Sequence, residues 1–180
     1  MKHVMLDLET MGLRPDAAIV SIGACHFDGT EILSTFYRPV SLASCLEVGL
    51  TTTPSTVDWW SKQPIEAQLA WRTDDALNLE SALYGFNRWL DGFSDPKRTA
   101  VWGNGANFDP VLMTSAYEAL GADPPWQYWA VHCFRTVRSL HRSIAEPARL
   151  GTHHHALDDA VHQARHLQKI AAVSRAFTLN

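Results

Sequence analysis

Two carboxylates stand in the middle of an apolar, strand-like run near the start of the chain, and few folds can accommodate them there. Residues 3–8 read HVMLDL, and Asp7-Leu8-Glu9 closes that run. In a β-strand successive side chains point to opposite faces, so the period of two puts Asp7 and Glu9 on one face and turns Leu8 into the core. An isolated D-x-E triplet is common and usually marks two solvated acids. A half-buried strand is a poor place for paired negative charges unless a cation neutralises them, which makes Asp7 and Glu9 a candidate metal pair.

The rest of the chain supplies the elements such a strand would need. Residues 18–27 form a second apolar, β-branched run, separated from the first by the turn-like stretch Met11–Asp16 with Gly12 and Pro15. Asp28-Gly29 is a hairpin signal, and EILSTFYRPV after it alternates as a third, antiparallel strand ending at Pro39. Residues 41–73 are expected to be irregular or short-helical, with Pro54 and Pro64 at helix starts. From Ala76 to Phe93, Leu79, Leu83, Phe86, Trp89 and Leu90 recur at helical spacing, with Gly92 as the stop. Residues 98–104 (RTAVWGN) read as a buried strand and 108–121 as a helix with Pro110 in its first turn, so that strand delivers Asn107 and Asp109 to a helix start. The last segment, 155–176, places Leu157, Ala160, Val161, Ala164, Leu167 and Ala171 on one stripe and carries Asp158 and Asp159 in its first turn.

Antiparallel opening strands followed by alternating strands and helices predict an α/β fold, a mixed sheet flanked by helices. With 180 residues, 46% hydrophobic and 19% charged, residues 1–180 are expected to form one domain. No run approaches the roughly 20 apolar residues of a membrane span, and the opening MKHVMLDLET lacks a signal-peptide pattern, so a soluble cytoplasmic protein is expected. Cys25, Cys45 and Cys133 show neither a disulfide framework nor C-x-x-C spacing and are expected to be buried thiols. The net charge of −4 provides no global field for nucleic acid, so any such partner must rely on a local basic patch and on metals.

Taken singly, the other acids are ambiguous. Asp109 at a helix start could serve as a cap, and Asp159 could simply complement a helix dipole. The tract His153-His154-His155 could be a metal tract, although it lacks the helical H-E-x-x-H of a zinc hydrolase. As a set they say more. D-x-E in the first strand, N-F-D before a middle helix and H-x-A-L-x-D-A opening the last helix resemble the three motifs of the DEDDh, or DnaQ-like, 3′-5′ exonucleases, and the resemblance runs from Asp7 to Asp159. LDLETMGLRPDAAIVSIGACHFD, VDWWSKQ and WGNGANFD resemble more narrowly the small phage- and prophage-associated group that includes exodeoxyribonuclease VIII-like proteins and the mycobacterial exoribonuclease-like domain.

That resemblance implies an RNase H-like sheet, its first three strands antiparallel and the later ones parallel. It implies that Asp7, Glu9, Asp109 and Asp159 bind metal and that His154, the histidine at the right spacing from Asp159, is the general base. The neighbouring Asp158 is expected to face solvent or to support its neighbours. Hard oxygen ligands without cysteine imply two Mg²⁺ or Mn²⁺ ions, which would generate the nucleophile and stabilise the leaving 3′ oxygen. The implied substrate is single-stranded DNA or RNA with a free 3′ end, hydrolysed to nucleoside monophosphates. Thr10, Gly12 and Leu13 would sit beside the terminal nucleotide, with Leu13 as a wedge, and Asn107 nearby.

Phosphates need cations, and Arg135, Arg138, Arg142 and Arg149 stand against one acid, Glu146, just before His154, the first three at i, i+3, i+7 of one expected helical face. Arg135 and Arg138 are the substrate contacts expected from that patch. Trp59 and Trp60 could stack bases or anchor the core. Seven tryptophans leave room for a homodimer interface. The alternative is a catalytically silent nucleic-acid-binding domain of the same fold, since a fold alone does not guarantee activity.

Overall fold

The computed structural model describes residues 2–93, 95, 98–174 and 176–179. Five strands form one sheet in the order β3-β2-β1-β4-β5. β1 (Lys2–Thr10), β2 (Ile19–Phe27) and β3 (Ile32–Pro39) are antiparallel neighbours, whereas β4 (Thr99–Gly103) and β5 (Val131–Cys133) continue the sheet in parallel. The mixed sheet anticipated from the order of elements is therefore present. At the β2–β3 turn, Asp28 Oδ1 accepts the backbone N–H groups of Thr30 and Glu31, both at 2.8 Å, a local bond that competes with extension of either strand.

Helices cover both faces. On one side lie α1 (Leu42–Glu47), α2 (Pro54–Ser61), α3 (Ile65–Trp71), α4 (Leu79–Asp91) and α5 (Asp109–Ala119). Their cluster takes Val4, Leu6 and Leu8 from β1. On the other side α6 (Phe134–Leu140) and α7 (Ala156–Val173) pack against Met5, Cys25, Phe27 and Trp102. Every residue of β2 is buried, as expected of a strand covered on both faces. The alternation along β1 leaves Asp7 and Glu9 on the α7 side and Leu8 in the opposite core, as the strand period requires.

Several boundaries differ from the sequence expectations. α4 begins three residues later than Ala76, because the Asn78 side chain caps it by accepting Ser81 N–H at 2.8 Å. α6 ends at Leu140, where the His141 ring and the Val137 carbonyl make a 2.8 Å contact, so Arg142 falls outside the helix that was to carry three arginines on one face. α7 ends at Val173, short of 176, and residue 175 of the expected range lies outside the described residues. Cys133 is only half-buried, unlike Cys25 and Cys45. No helix among the described residues is long and apolar enough to cross a membrane.

Candidate active site

α7 brings its first turn onto the sheet directly over Asp7. The residue paired with Asp7 in β2 is Gly23, and a Cβ there would lie 2.1 Å from the Ala156 carbonyl carbon, so only glycine lets the helix start sit so close. This contact sets Asp159, in the first turn of α7, beside the β1 pair. Ligand oxygens of Asp7, Glu9 and Asp159 lie within 4.8 Å of one another. Asp109, the first residue of α5, is 3% exposed and lines the same cleft of about 340 Å³. Its carboxylate accepts Leu8 N–H at 3.1 Å and Asn104 N–H at 3.2 Å, which ties α5 to the ends of β1 and β4.

Burying several carboxylates together is unfavourable while they are ionised. Burial, reinforced by repulsion from Asp109, Glu9 and Asp159, raises the Asp7 pKa well above its ordinary value against a 2.6 Å hydrogen bond from Gln163 Nε2. Burial and the charges of Asp159 and Asp109 push Glu9 up to about 8. Burial raises Asp109 to about 7, opposed by its backbone N–H donors and by Arg135. Oε1 of Glu9 is buried and has no hydrogen-bond partner among the described residues. An orphaned carboxyl oxygen among all-oxygen donors, in a cleft where burial resists ionisation until a positive charge arrives, fits a hard divalent cation such as Mg²⁺ or Mn²⁺.

His154 stands at the edge of this cleft on a left-handed backbone, φ 63°, a conformation a β-carbon resists and the surroundings must hold. Its own N–H donates to Asp159 Oδ2 at 2.9 Å, while Arg149 Nη1 donates to Asp159 Oδ1. The His154 ring meets Trp59 edge to face at 4.9 Å. Burial, then the neighbouring His153, lowers its pKa below the ordinary histidine value. His153, His154 and Asp159 also place ligand atoms within 4.8 Å of one another, a second trio that shares Asp159. His155 is elsewhere, stacked on Tyr37 at 4.3 Å. Asp158 turns away from the trio: its Oδ2 accepts Thr152 N–H at 2.8 Å and pins the loop that carries the histidines.

A second, largely apolar hollow of about 440 Å³ adjoins the acidic cleft and shares Leu8, Glu9, Phe108 and His154 with it. Thr10 and Leu13 line it together with Trp59 and Trp60, and Leu13 stands at its mouth, 75% exposed. Trp60 is buried and its indole N–H donates to the Thr10 carbonyl at 2.9 Å, so it anchors the wall while Trp59, 39% exposed, stands perpendicular to the His154 ring. Gly12 packs against Thr53 and does not line the hollow. Arg135 and Arg138 line the acidic cleft, and Arg142 lines an adjoining hollow with them. Asn107 is exposed and lines neither space; Asn104 occupies the position at the acids. Sequence reasoning also missed Gln163, for which the available signal was its spacing four residues after Asp159 on one helical face.

The first strand, a mid-chain helix start and the last helix bring four acids and a histidine to one cleft of a mixed, RNase H-like sheet, the arrangement expected of a DEDDh-type nuclease domain. The fold is shared by the nuclease domain of 3′hExo, a DEDDh family member bound to rAMP, with a TM-score of 0.67 and 14% identity over 99% of this chain and 96% of that one. It is shared also by E. coli exonuclease I in complex with a dA16 oligonucleotide (TM-score 0.63, 15% identity, 95% of this chain and 41% of that one). Exonuclease X in complex with 5′ overhanging duplex DNA gives a TM-score of 0.61 and 18% identity over 98% of this chain and 95% of that one. The exodeoxyribonuclease of Enterobacteria phage T4 is 29% identical over 121 residues, covering 61% of this chain and 53% of that protein, so the match spans about half the length of that relative. Residues 2–171 match the 3′-5′ exoribonuclease Rv2179c-like domain, and the chain belongs to that family.

Proposed function

We propose that residues 1–180 act as one 3′-5′ exonuclease domain that hydrolyses single-stranded DNA or RNA from a free 3′ end and releases nucleoside monophosphates. The observation that carries this reading is the convergence of Asp7, Glu9 and Asp159 oxygens within 4.8 Å, with an orphaned Glu9 oxygen among them. Asp7, Glu9, Asp159 and Asp109 would hold two Mg²⁺ or Mn²⁺ ions, which when bound generate the attacking hydroxide and stabilise the leaving 3′ oxygen. His154 accepts the proton from the attacking water, a role favoured by a pKa held below the ordinary value, so that the ring is neutral at neutral pH. The terminal base enters the apolar hollow, where Leu13, Phe108 and Trp59 offer flat and branched surfaces, and Arg135 and Arg138 face the phosphates. Three free cysteines agree with action in the cytoplasm.

Incubation with 3′- and 5′-end-labelled single-stranded DNA, single-stranded RNA and duplex in Mn²⁺ tests the proposal. Stepwise loss of mononucleotides from the 3′ end of one or both single strands, abolished in Asp7→Asn, is expected. Binding without cleavage of any substrate in Mg²⁺ or Mn²⁺ would instead identify a silent binding domain, and cleavage supported by Zn²⁺ alone would shift the site to His153, His154 and Asp159.

A further inference from the structure

Among the described residues one salt bridge is made to the acidic set, from Arg149 to Asp159. Asp7 receives a neutral amide from Gln163, Asp109 receives backbone N–H groups, and the Glu9 Oε1 receives nothing. The oxygen that Arg149 occupies is Asp159 Oδ1, while His154 N–H holds Oδ2. We propose that Arg149 is a built-in counter-cation: its guanidinium occupies Asp159 until a divalent ion arrives, yields that carboxylate to the ion, and turns to the phosphate of the bound nucleotide. The inference rests on the reading of Asp7, Glu9 and Asp159 as metal ligands.

Two positive charges cannot share one carboxylate without cost. A guanidinium and a divalent ion a few ångströms apart repel strongly in a low-dielectric cleft, so occupation by one weakens the other. The attachment of Arg149 suits an exchange. It lies on the segment between α6 and α7, immediately before a pinned stretch in which Gly151 has φ 81°, Thr152 N–H is bonded to Asp158 and His154 N–H to Asp159. The pins hold His154 in place, and Arg149, whose side chain is 34% exposed, stands outside them. Its long stem can swing without moving the base. A guanidinium released from Asp159 remains in the cleft it already lines beside Arg135 and Arg138, where its planar fork matches a phosphate.

Opposite signs for metal and nucleotide binding distinguish this exchange from a purely structural contact. Mn²⁺ binding to the full chain without nucleic acid is measured by the electron paramagnetic resonance signal of free Mn²⁺, for wild type, Arg149→Ala and Arg149→Lys. Binding of 5′-AMP is then measured by calorimetry at saturating Mn²⁺. Arg149→Ala is expected to bind Mn²⁺ about fivefold or more tightly and 5′-AMP about fivefold or more weakly, the scale of an ordinary coupling between sites. Arg149→Lys keeps the charge and should keep Mn²⁺ binding near wild type, while Arg149→Gln, which removes the charge but keeps a long polar side chain, should tighten Mn²⁺ as the alanine variant does and decides the question should that variant fold poorly. Mn²⁺ binding unchanged or weaker in Arg149→Ala, or tightened equally in Arg149→Lys, overturns the exchange while leaving the metal site standing. A wild-type chain that binds no Mn²⁺ overturns the metal site itself and the exchange with it.

Discussion

Replacing Gly23 by alanine should dismantle the site from a position that touches no substrate. The new methyl group would lie 2.1 Å from the carbonyl carbon and 2.2 Å from the next backbone nitrogen at the start of α7, where ordinary contact begins near 3.4 Å. Both atoms are backbone, so no side-chain rotation relieves the clash, and α7 must retreat from β2 by about 1.3 Å, the difference between those distances. Overpacking of this kind costs about 1–3 kcal/mol of stability. The retreat carries Asp159, and with it the His154 backbone, away from Asp7 and Glu9. A displacement of about 1 Å in a positioned group lowers turnover by about a hundredfold. Thermal melting, together with Mn²⁺-dependent nucleotide release measured well below the variant's own midpoint, separates the two effects. A Gly23→Ala protein with wild-type midpoint and wild-type turnover would refute the claim that this glycine sets the distance between helix and sheet.

The raised pKa values give a second expectation. Glu9 is lifted from 4.5 to about 8, so the folded chain holds its proton more tightly than the unfolded chain; the resulting stability is fully present below about pH 4.5 and is lost as the pH rises through about 8. Without divalent ions, Glu9→Gln should therefore melt progressively higher than wild type between pH 5 and 8, and comparing the two proteins cancels contributions from the buried histidines. A difference that shrinks over that range, in melts with EDTA, would contradict the assignment. For the apolar hollow, Trp59→Ala should raise KM roughly tenfold or more by removing a stacking surface, with a smaller change in kcat. An unchanged KM on the preferred single strand would exclude Trp59 from base binding.

Much of the fold is legible in the residues because each strand carries its own signal. Period two in β1, a largely apolar run in β2 and the Asp28-Gly29 turn before β3 leave little freedom for the first half of the sheet. The acids are legible in part for the same reason: strand period fixes the faces of Asp7 and Glu9, whereas Asp109 and Asp159, each ambiguous at its helix start, stand out only through the resemblance of the whole set. Legibility fails where a loop decides direction. Gly105, at φ 135°, turns the chain between Asn104, which lines the acidic cleft, and Asn107, which is exposed and does not, and no propensity distinguishes the two asparagines. The arginine face was extended across Arg142 because nothing local announces that the His141 ring closes α6. Gln163 looks like any polar residue on a helix until β1 is placed against it.

The bond from the His154 main chain to Asp159 makes two chemical roles hostage to a single side chain. On the reading proposed for the site, losing the carboxylate at position 159 would remove an anionic ligand and release the peptide whose left-handed twist carries the imidazole. On the proposed roles, proton acceptor and ion cradle are fastened by one latch: an aliphatic residue at that position would undo both, whereas asparagine would keep an oxygen for the peptide while giving up the negative charge.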